Sequence, residues 1–588
     1  MFCRVRERIK DNGGSKRDSM KERKEVFLKS IKINMALIGG ILTGFLFFLL
    51  LYGIQILNVT YDDWLLTGGD LSQHYLGWCF FRESDWTFPI GLMDKISYPN
   101  FVSVIFTDSI PLFAVIFKIF RNWLPETFQY FGIWGLICFG LQGGLGALLI
   151  RHFVKSDWLA IAGSLFFVMA PIEIYRMYMH TALGAQWLLL AALLLGLKRN
   201  RLELKQRMAL CALLGVLCGS IHIYFIPMCG IILGAFLIED VIYKRRILPA
   251  ILMEGIYCFS AVVIVVLLGG LSHDHQLDAG GLGQFSFNLN GLINPQGWSR
   301  ILPDLPLYGE GAGEGLAFPG TGVLAALLLS FVLLIFRKKS RVEMRKRLNR
   351  NNWIAFAIIT VVSIILSVSH MLALGDQVIW EIPYPKQLVS LWGMFRSSGR
   401  FIWPVVYLLI LAAAVLLSVT LDCCKSREGR SGDTEKSITR CKWRQGAAVI
   451  ILLMLAGLQI FDSYPQLKER HDRFVRKTEY ISVLQDEIWT ELSEKKHIVF
   501  VSDLINNQEL LYGLSEYALQ NNMTINNFYF AHSAIKGEIE DSIRESLEAP
   551  DADTVYIYKE ADEEMCTDDR MDYRKADGLI AGTLRELE

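Results

Sequence analysis

Gly68-Gly69-Asp70-Leu71-Ser72-Gln73-His74-Tyr75-Leu76-Gly77-Trp78 follows the first long apolar segment and opens a polar loop that ends near Asp108. Two adjacent glycines permit a sharp turn, and Asp70 then stands where a helix begins. A carboxylate there can accept orphan backbone N–H groups and suits the positive end of the helix. On that helix Asp70 and His74 lie four apart on one face, and Leu71, Tyr75 and Trp78 form a neighbouring apolar stripe. The spacing predicts an amphipathic helix from Asp70 to about Phe81 lying along a membrane surface. Two readings of Asp70 are open: a helix cap, or an acid held at the lipid boundary for chemistry.

Apolar sequence surrounds this stretch on a scale that places the chain among polytopic membrane proteins. Of 588 residues, 52% are hydrophobic and mean hydropathy is positive. Met35 to Leu57 supplies the roughly 20 apolar residues that cross a bilayer. Further spans are expected at 129–150, 158–173, 184–197, 208–221, 223–240, 249–270, 320–336, 353–370, 402–421 and 446–461, about eleven in all. Pro111 to Phe120 is apolar but short and reads as a re-entrant or interfacial segment.

Charge gives the expected orientation. Residues 1–34 form a basic tail, and the clusters Arg151–Lys155, Lys198–Arg207, Lys244–Arg246, Arg337–Arg350 and Lys425–Arg444 fall on its side. By the positive-inside rule that side is cytoplasmic, and the base-poor loops 58–110 and 271–319 lie outside. Within an acidic outer region, 462–588, His497–Ser502 and Thr554–Tyr558 read as short buried strands, with helices at Leu510–Leu519 and Glu538–Leu547. The expected fold is therefore a polytopic α-helical membrane domain, 35–461, followed by a small extracytoplasmic α/β domain. No pair among the eleven cysteines has zinc-ligand spacing. Only Cys79 and Cys566 fall outside, where a disulfide between them is chemically open.

Ionisable residues gather where spans meet the outer face. Asp70 and His74 are joined by Asp108 in Thr107-Asp108-Ser109, and these three are the catalytic candidates. Arg176 and His180 link the third and fourth spans, His222 sits in a near-absent turn, and Glu310 and Glu314 stand in the Gly-rich loop 279–322. Arg396 and Arg400 are four apart, on one helical face. Their guanidinium forks suit a phosphate or pyrophosphate, so Arg396 and Arg400, with Arg176, His180, His222 and Glu310, are the substrate- or phosphate-binding candidates. Any one of these residues taken singly could be an interfacial anchor; their collection on one face is the signal. No metal ligands are named, although a divalent cation, Mg or Mn, could sit among Asp70, Asp108 and a phosphate, because hard cations take such oxygens.

The segments Gly69–Tyr75, Tyr98-Pro99 with Thr107-Asp108-Ser109, and Phe395-Arg396-Ser-Ser-Gly-Arg400-Phe401 resemble a bacterial branch of the GT-C superfamily. The large first outer loop, short kinked spans and outer C-terminal domain also resemble that superfamily of polytopic glycosyltransferases. The resemblance covers roughly 35–461. It implies transfer of a sugar from a polyprenyl phosphate carrier to an envelope glycan, lipid or protein on the outer face of the bacterial cytoplasmic membrane. It also implies that the first-loop acid is the base, which by position is Asp70; an adjacent acidic pair, common in relatives, falls instead at Asp62-Asp63. No Rossmann glycine fingerprint or Walker lysine loop is present to bind a nucleotide. Two rival readings stand beside this one: a lipid or glycolipid transporter (a flippase), and a non-catalytic envelope scaffold, which expects no cavity at the outer face.

Overall fold

A computed structural model describes residues 34–244, 247–272, 282–337, 342, 352–393, 395–421, 435–530 and 536–585. The expected basic tail and much of the clusters 337–350 and 425–444 lie outside the described residues. Among the described residues eight helices are long and apolar enough to cross a membrane: Met35–Tyr52, Phe131–Phe153, Thr181–Arg201, Leu204–Ile221, Phe225–Tyr243, Ile247–Leu267, Ser398–Leu421 and Trp443–Asp462. At the three remaining expected positions stand shorter apolar helices, Asp157–Val168, Thr321–Phe336 and Trp353–Val368. These fall short of the roughly 20 residues that span hydrocarbon. Eight of the eleven expected spans thus meet the length of a full crossing, and three shorter apolar helices stand at the others.

The outer helices of the bundle pack one face inward and leave the other apolar and open, whereas Ser398–Leu421 is buried over most of its surface. Met35–Tyr52 shows the outer arrangement plainly: Ala36, Phe48 and Tyr52 are buried, while Leu42, Leu46 and Leu50 are exposed. An apolar residue left open on a helix of this length has lipid as its natural neighbour. The segment after the first loop is a nine-residue helix, Pro111–Ile119, with Ile116 and Ile119 exposed.

The first-loop helix runs Gly69–Glu83, and its surroundings differ from the expectation. Gly68 and Gly69 take φ of +90° and +67°, a left-handed turn that glycine makes at little cost. Gly68 is the N-cap, so Asp70 is the second helical residue and does not cap the helix. Nearly every residue from Leu71 to Phe81 is buried, on the polar face as well as the apolar one. Ser72 Oγ donates to Leu65 O at 2.8 Å, Gln73 Nε2 to Tyr529 O at 2.8 Å, and Trp78 Nε1 to Phe128 O at 2.9 Å. The helix is sandwiched between the bundle and the C-terminal domain. Amphipathic spacing cannot distinguish a wet polar face from one buried against protein.

The C-terminal domain carries a five-stranded mixed sheet. Its strands run in the order Thr524–Ile525, His497–Phe500, Thr554–Lys559, Leu579–Leu584, Met571–Ala576; the first three are parallel and the last two form an antiparallel hairpin. Helices Gln508–Gln520 and Lys536–Glu548 fall where the periodicity predicts them. The hairpin goes unread in the sequence because its edge strand, Met571–Ala576, carries Asp572, Arg574 and Lys575, the charges that protect an edge from further pairing.

This domain is latched to the first loop. Tyr98 N–H donates to Ile525 O at 2.9 Å and Ile525 N–H to Lys95 O at 2.8 Å, so the loop pairs with the edge of the sheet. The Tyr98 ring stacks on His497 with centroids 4.2 Å apart. Asp63 Oδ1 accepts Tyr480 N–H at 3.0 Å, and Asp62 Oδ2 accepts Tyr75 O–H at 2.5 Å. The Asp62-Asp63 pair is thus committed to fastening the linker and the first-loop helix. Cys79 and Cys566 are both free thiols, and the open disulfide is not formed. Cys79 lies on the first-loop helix, whereas Cys566 packs on the small core around Tyr556 and Tyr558.

Candidate functional site

A cavity of about 280 Å³ opens where the bundle, the first loop and the C-terminal domain meet. Asp70, Asp108, His180, His222, Arg396 and Arg400 all line it. So do Gln73 and Tyr224, and Tyr529 and Phe530 reach it from the C-terminal domain.

Local backbone brings the two acids to one wall. The turn Val104–Thr107 ends at Asp108 in the left-handed region, φ 51°, which Asp tolerates better than most residues. The strap around Asp108 then lies tight against the first-loop helix. Ser109 Oγ donates to His74 O at 2.7 Å, and a Cβ on Gly77 would stand 2.6 Å from Thr107 Oγ1 and 2.7 Å from Ser109 Oγ. Only glycine at 77 permits that approach.

Each acid faces a histidine. His180 Nδ1 is 3.2 Å from Arg176 Nη1 and its Nε2 is 3.5 Å from Arg400 Nη2, both groups that can only donate. The same Nε2 stands 3.4 Å from Asp70 Oδ2. Tyr224 N–H donates to His222 Nδ1 at 3.2 Å, which leaves His222 Nε2–H facing Asp108 Oδ1 at 3.5 Å. Burial, reinforced by Arg400 and Arg176, pushes the His180 imidazole well below its usual range. Burial, with Arg400, brings His222 down to about 3. Both rings are neutral at physiological pH.

The acids themselves are poised. Burial first, then the charge of Glu314, raises the Asp70 carboxyl above the ordinary range, with Arg400 and Arg176 opposing. Burial and the neighbouring Asp70 charge push Asp108 up to about 7, against the pull of Arg400. Glu314 behaves oppositely: burial alone would raise it, but Arg176 and Arg400 outweigh that and hold it far below the carboxylate range. Its Oε2 accepts from Arg176 Nη2 at 2.9 Å and from Arg400 Nη2 at 2.7 Å. One carboxylate thus bridges two buried arginines.

The remaining candidates fall in three places. Arg176 is fully buried behind the wall, between the rings of Tyr175 and Trp403 at 4.7 and 5.6 Å. His74 does not line the cavity: its ring is buried, with Nδ1 3.1 Å from Thr181 Oγ1, and burial lowers it to about 3. Its i+4 spacing from Asp70 is real, but the ring points into the bundle and ties the helix to the turn after His180. The side chain of Glu310 lies outside the described residues; Glu314, in the same loop, is the carboxylate joined to the site. Sequence reasoning missed Tyr224, Gln73, Tyr529 and Phe530. For two of them the signal was adjacency, since Tyr224 follows His222 by two and Gln73 follows Asp70 by three; Tyr529 and Phe530 carried none.

The donor set bears on a metal ion. Among the described residues no three Asp, Glu, His or Cys side chains stand close enough to hold one. Asp70 and Asp108 are by themselves too few to hold a divalent cation, and the expected site would be completed only by oxygens of a phosphate.

A family model described as Domain of unknown function (DUF6311) matches residues 41–429, and one described as DUF6311 C-terminal domain matches 488–584. No curated protein matches the chain. The chain is similar to the archaeal oligosaccharyltransferase AglB from Archaeoglobus fulgidus in complex with an inhibitory peptide and a dolichol-phosphate. That likeness covers 89% of this chain and 69% of the other, at 12% identity and a TM-score of 0.37. The Archaeoglobus fulgidus oligosaccharyltransferase tethered with an acceptor peptide containing the NVT sequon is similar over the same shares, at 11% identity and a TM-score of 0.36. Likeness of this degree assigns neither an activity nor a residue to this chain.

Proposed function

The chain belongs to the family described as Domain of unknown function (DUF6311), and from that premise we propose that it is a membrane glycosyltransferase. It moves a sugar from a polyprenyl phosphate carrier to an envelope glycan, lipid or protein, on the outer face of the bacterial cytoplasmic membrane. The observation that carries this reading is one cavity shared by two carboxylates, Asp70 and Asp108, and two arginines, Arg396 and Arg400. Acids opposite arginines suit a reaction that releases a proton at one end and a phosphate at the other.

In this mechanism an acceptor hydroxyl attacks the anomeric carbon of the donor. Its proton passes to Asp70, whose raised pKa helps it keep that proton. The bond from anomeric carbon to phosphate oxygen breaks, and the electron pair leaves with the lipid phosphate, which Arg396 and Arg400 receive. A single displacement of this kind inverts the anomeric centre. Asp108, pushed up to about 7 by burial and the Asp70 charge, is about half ionised at neutral pH, and the place of Asp70 in the first loop supports it as the base. Tyr529 and Phe530 complete the cavity from the C-terminal domain, on the side open to an acceptor.

The test is sugar transfer by purified protein in lipid, with a panel of polyprenyl-phosphate sugars and envelope acceptors. Transfer from at least one donor, with inversion, supports the reading. Movement of lipid across the bilayer without transfer from any donor replaces it with a transporter.

A further inference from the structure

Arg400 lines the cavity, yet its guanidinium is already engaged. Nη2 donates to Glu314 Oε2 at 2.7 Å, and the same oxygen takes Arg176 Nη2 at 2.9 Å. The two arginines hold Glu314 unequally. Arg176 also donates to the backbone carbonyl of Glu314, so it grips the residue at two atoms, whereas Arg400 has the carboxylate alone. Neither Arg176 nor Glu314 lines the cavity.

Arg400 is also under-used. Its Nε is buried and has no hydrogen-bond partner among the described residues. A guanidinium offers its donors as a rigid fork that a phosphate fills two at a time. An anion in the cavity would compete for Nη2 with the carboxylate already there. Arg396 stands ready beside it: exposed, over the Phe285 ring at 5.1 Å, and in no ion pair among the described residues.

We infer that Glu314 is the built-in counter-anion of this phosphate site, holding on Arg400 the place that the donor phosphate takes and remaining on Arg176 when the phosphate arrives. The inference rests on the proposed reading of the cavity and adds which side chain the phosphate displaces. Two physical needs meet in such a residue. Without donor, a buried guanidinium with no counter-charge is costly, and Glu314 supplies that charge. After transfer, the lipid phosphate must leave, and a carboxylate returning to Arg400 helps expel it. Glu314 is thus a positioning residue that sets how tightly Arg400 holds phosphate. No covalent step is assigned to it.

Binding of a short-chain polyprenyl monophosphate to the full chain in lipid nanodiscs tests this. Glu314→Gln removes the competing charge, so it should bind the probe at least about tenfold tighter, a factor worth about 1.4 kcal/mol. In turnover its KM for donor and its kcat should fall together, because product lingers. Glu314→Asp keeps the charge on Arg176 but withdraws it by one methylene from Arg400; it should bind a few-fold tighter, and it carries the test if the Gln protein does not fold. Binding by both variants no tighter than wild type overturns the inference and makes Glu314 a brace for Arg400. A wild type and variants that all ignore the probe overturn the phosphate reading itself, and this inference with it. Inorganic phosphate in a parallel arm separates the sources. Tightening confined to the lipid probe assigns the lipid-linked phosphate, and tightening with both assigns the phosphate group alone.

Discussion

His180 Nε2 stands 3.4 Å from Asp70 Oδ2, and the other nitrogen of the ring is held by Arg176 at 3.2 Å. Burial lowers the His180 imidazole well below its usual range, so the acid meets a neutral polar ring rather than a second charge. A polar neighbour costs a carboxylate less than an apolar one, against the upward push that burial gives Asp70.

Replacing His180 with phenylalanine should remove that polar neighbour and raise the pKa of Asp70 further. The acidic limb of the kcat/KM profile should move to higher pH, with kcat down about tenfold to a hundredfold, at the low end of what a positioned acid–base partner contributes. His180→Gln, which retains a polar side chain, should restore part of both. A pH profile that stays fixed in the phenylalanine variant would limit His180 to packing.

Asp108 gives a second dependence of opposite sign. Burial and Asp70 push it up to about 7, so the folded chain keeps a proton there that the unfolded chain has released. From the ordinary carboxylate range up to about pH 7 the folded state binds more protons. Stability therefore falls as pH rises through that window. Ionised, Asp108 also repels the donor phosphate. Asp108→Asn should flatten the decline in thermal stability and abolish a loss of donor binding above neutral pH, both readable by titrating protein in nanodiscs.

Arg396 and Arg400 should fail differently. Arg396 is exposed and in no ion pair among the described residues, so Arg396→Ala should fold normally and lose about tenfold or more in polyprenyl phosphate binding, the range of a charge-assisted contact. Arg400 is buried and paired with Glu314. Truncating it breaks a buried pair, which costs roughly 3–5 kcal/mol, so Arg400→Ala should lose both binding and thermal stability. Arg400→Lys should recover stability better than binding, because an ammonium cannot reproduce the fork. Equal binding by all these variants and wild type would remove the arginines from the donor site.

The sequence made the apolar segments legible because hydropathy over about 20 residues is a long-range average that survives local irregularity. It also made Asp70, Asp108, Arg396 and Arg400 legible as a set, since ionisable residues at span ends are few. Direction was beyond it. Asp70 and His74 share a helical face by spacing, yet one reaches the cavity and the other bonds Thr181 inside the bundle. Asp63 is set apart from Asp70 by a partner far along the chain, Tyr480, which no local pattern contains. Glu314 and Glu310 were indistinguishable for the same reason: only the folded loop presents Glu314 to two arginines.

Substituting Asp70 by asparagine separates chemistry from architecture. Gly68, not Asp70, caps the first-loop helix, and among the described residues the polar side chain facing the carboxylate is His180. Asparagine fills the same volume and keeps both a donor and an acceptor for His180 Nε2, so the fold should lose little. What it cannot do is accept the acceptor's proton. Sugar transfer should fall about 10²–10⁴-fold, the contribution of a positioned general base, while polyprenyl phosphate binding stays near wild type. Asp62→Asn and Asp63→Asn act on Tyr75 and Tyr480, outside the cavity, and should lower thermal stability more than they lower turnover per folded molecule. Asp108→Asn should alter the pH range of donor binding without abolishing transfer. The measurement is transfer rate against bound donor for the four variants side by side. Near-normal turnover in Asp70→Asn with a dead Asp108→Asn would move the base to Asp108 and leave Asp70 as its charged neighbour.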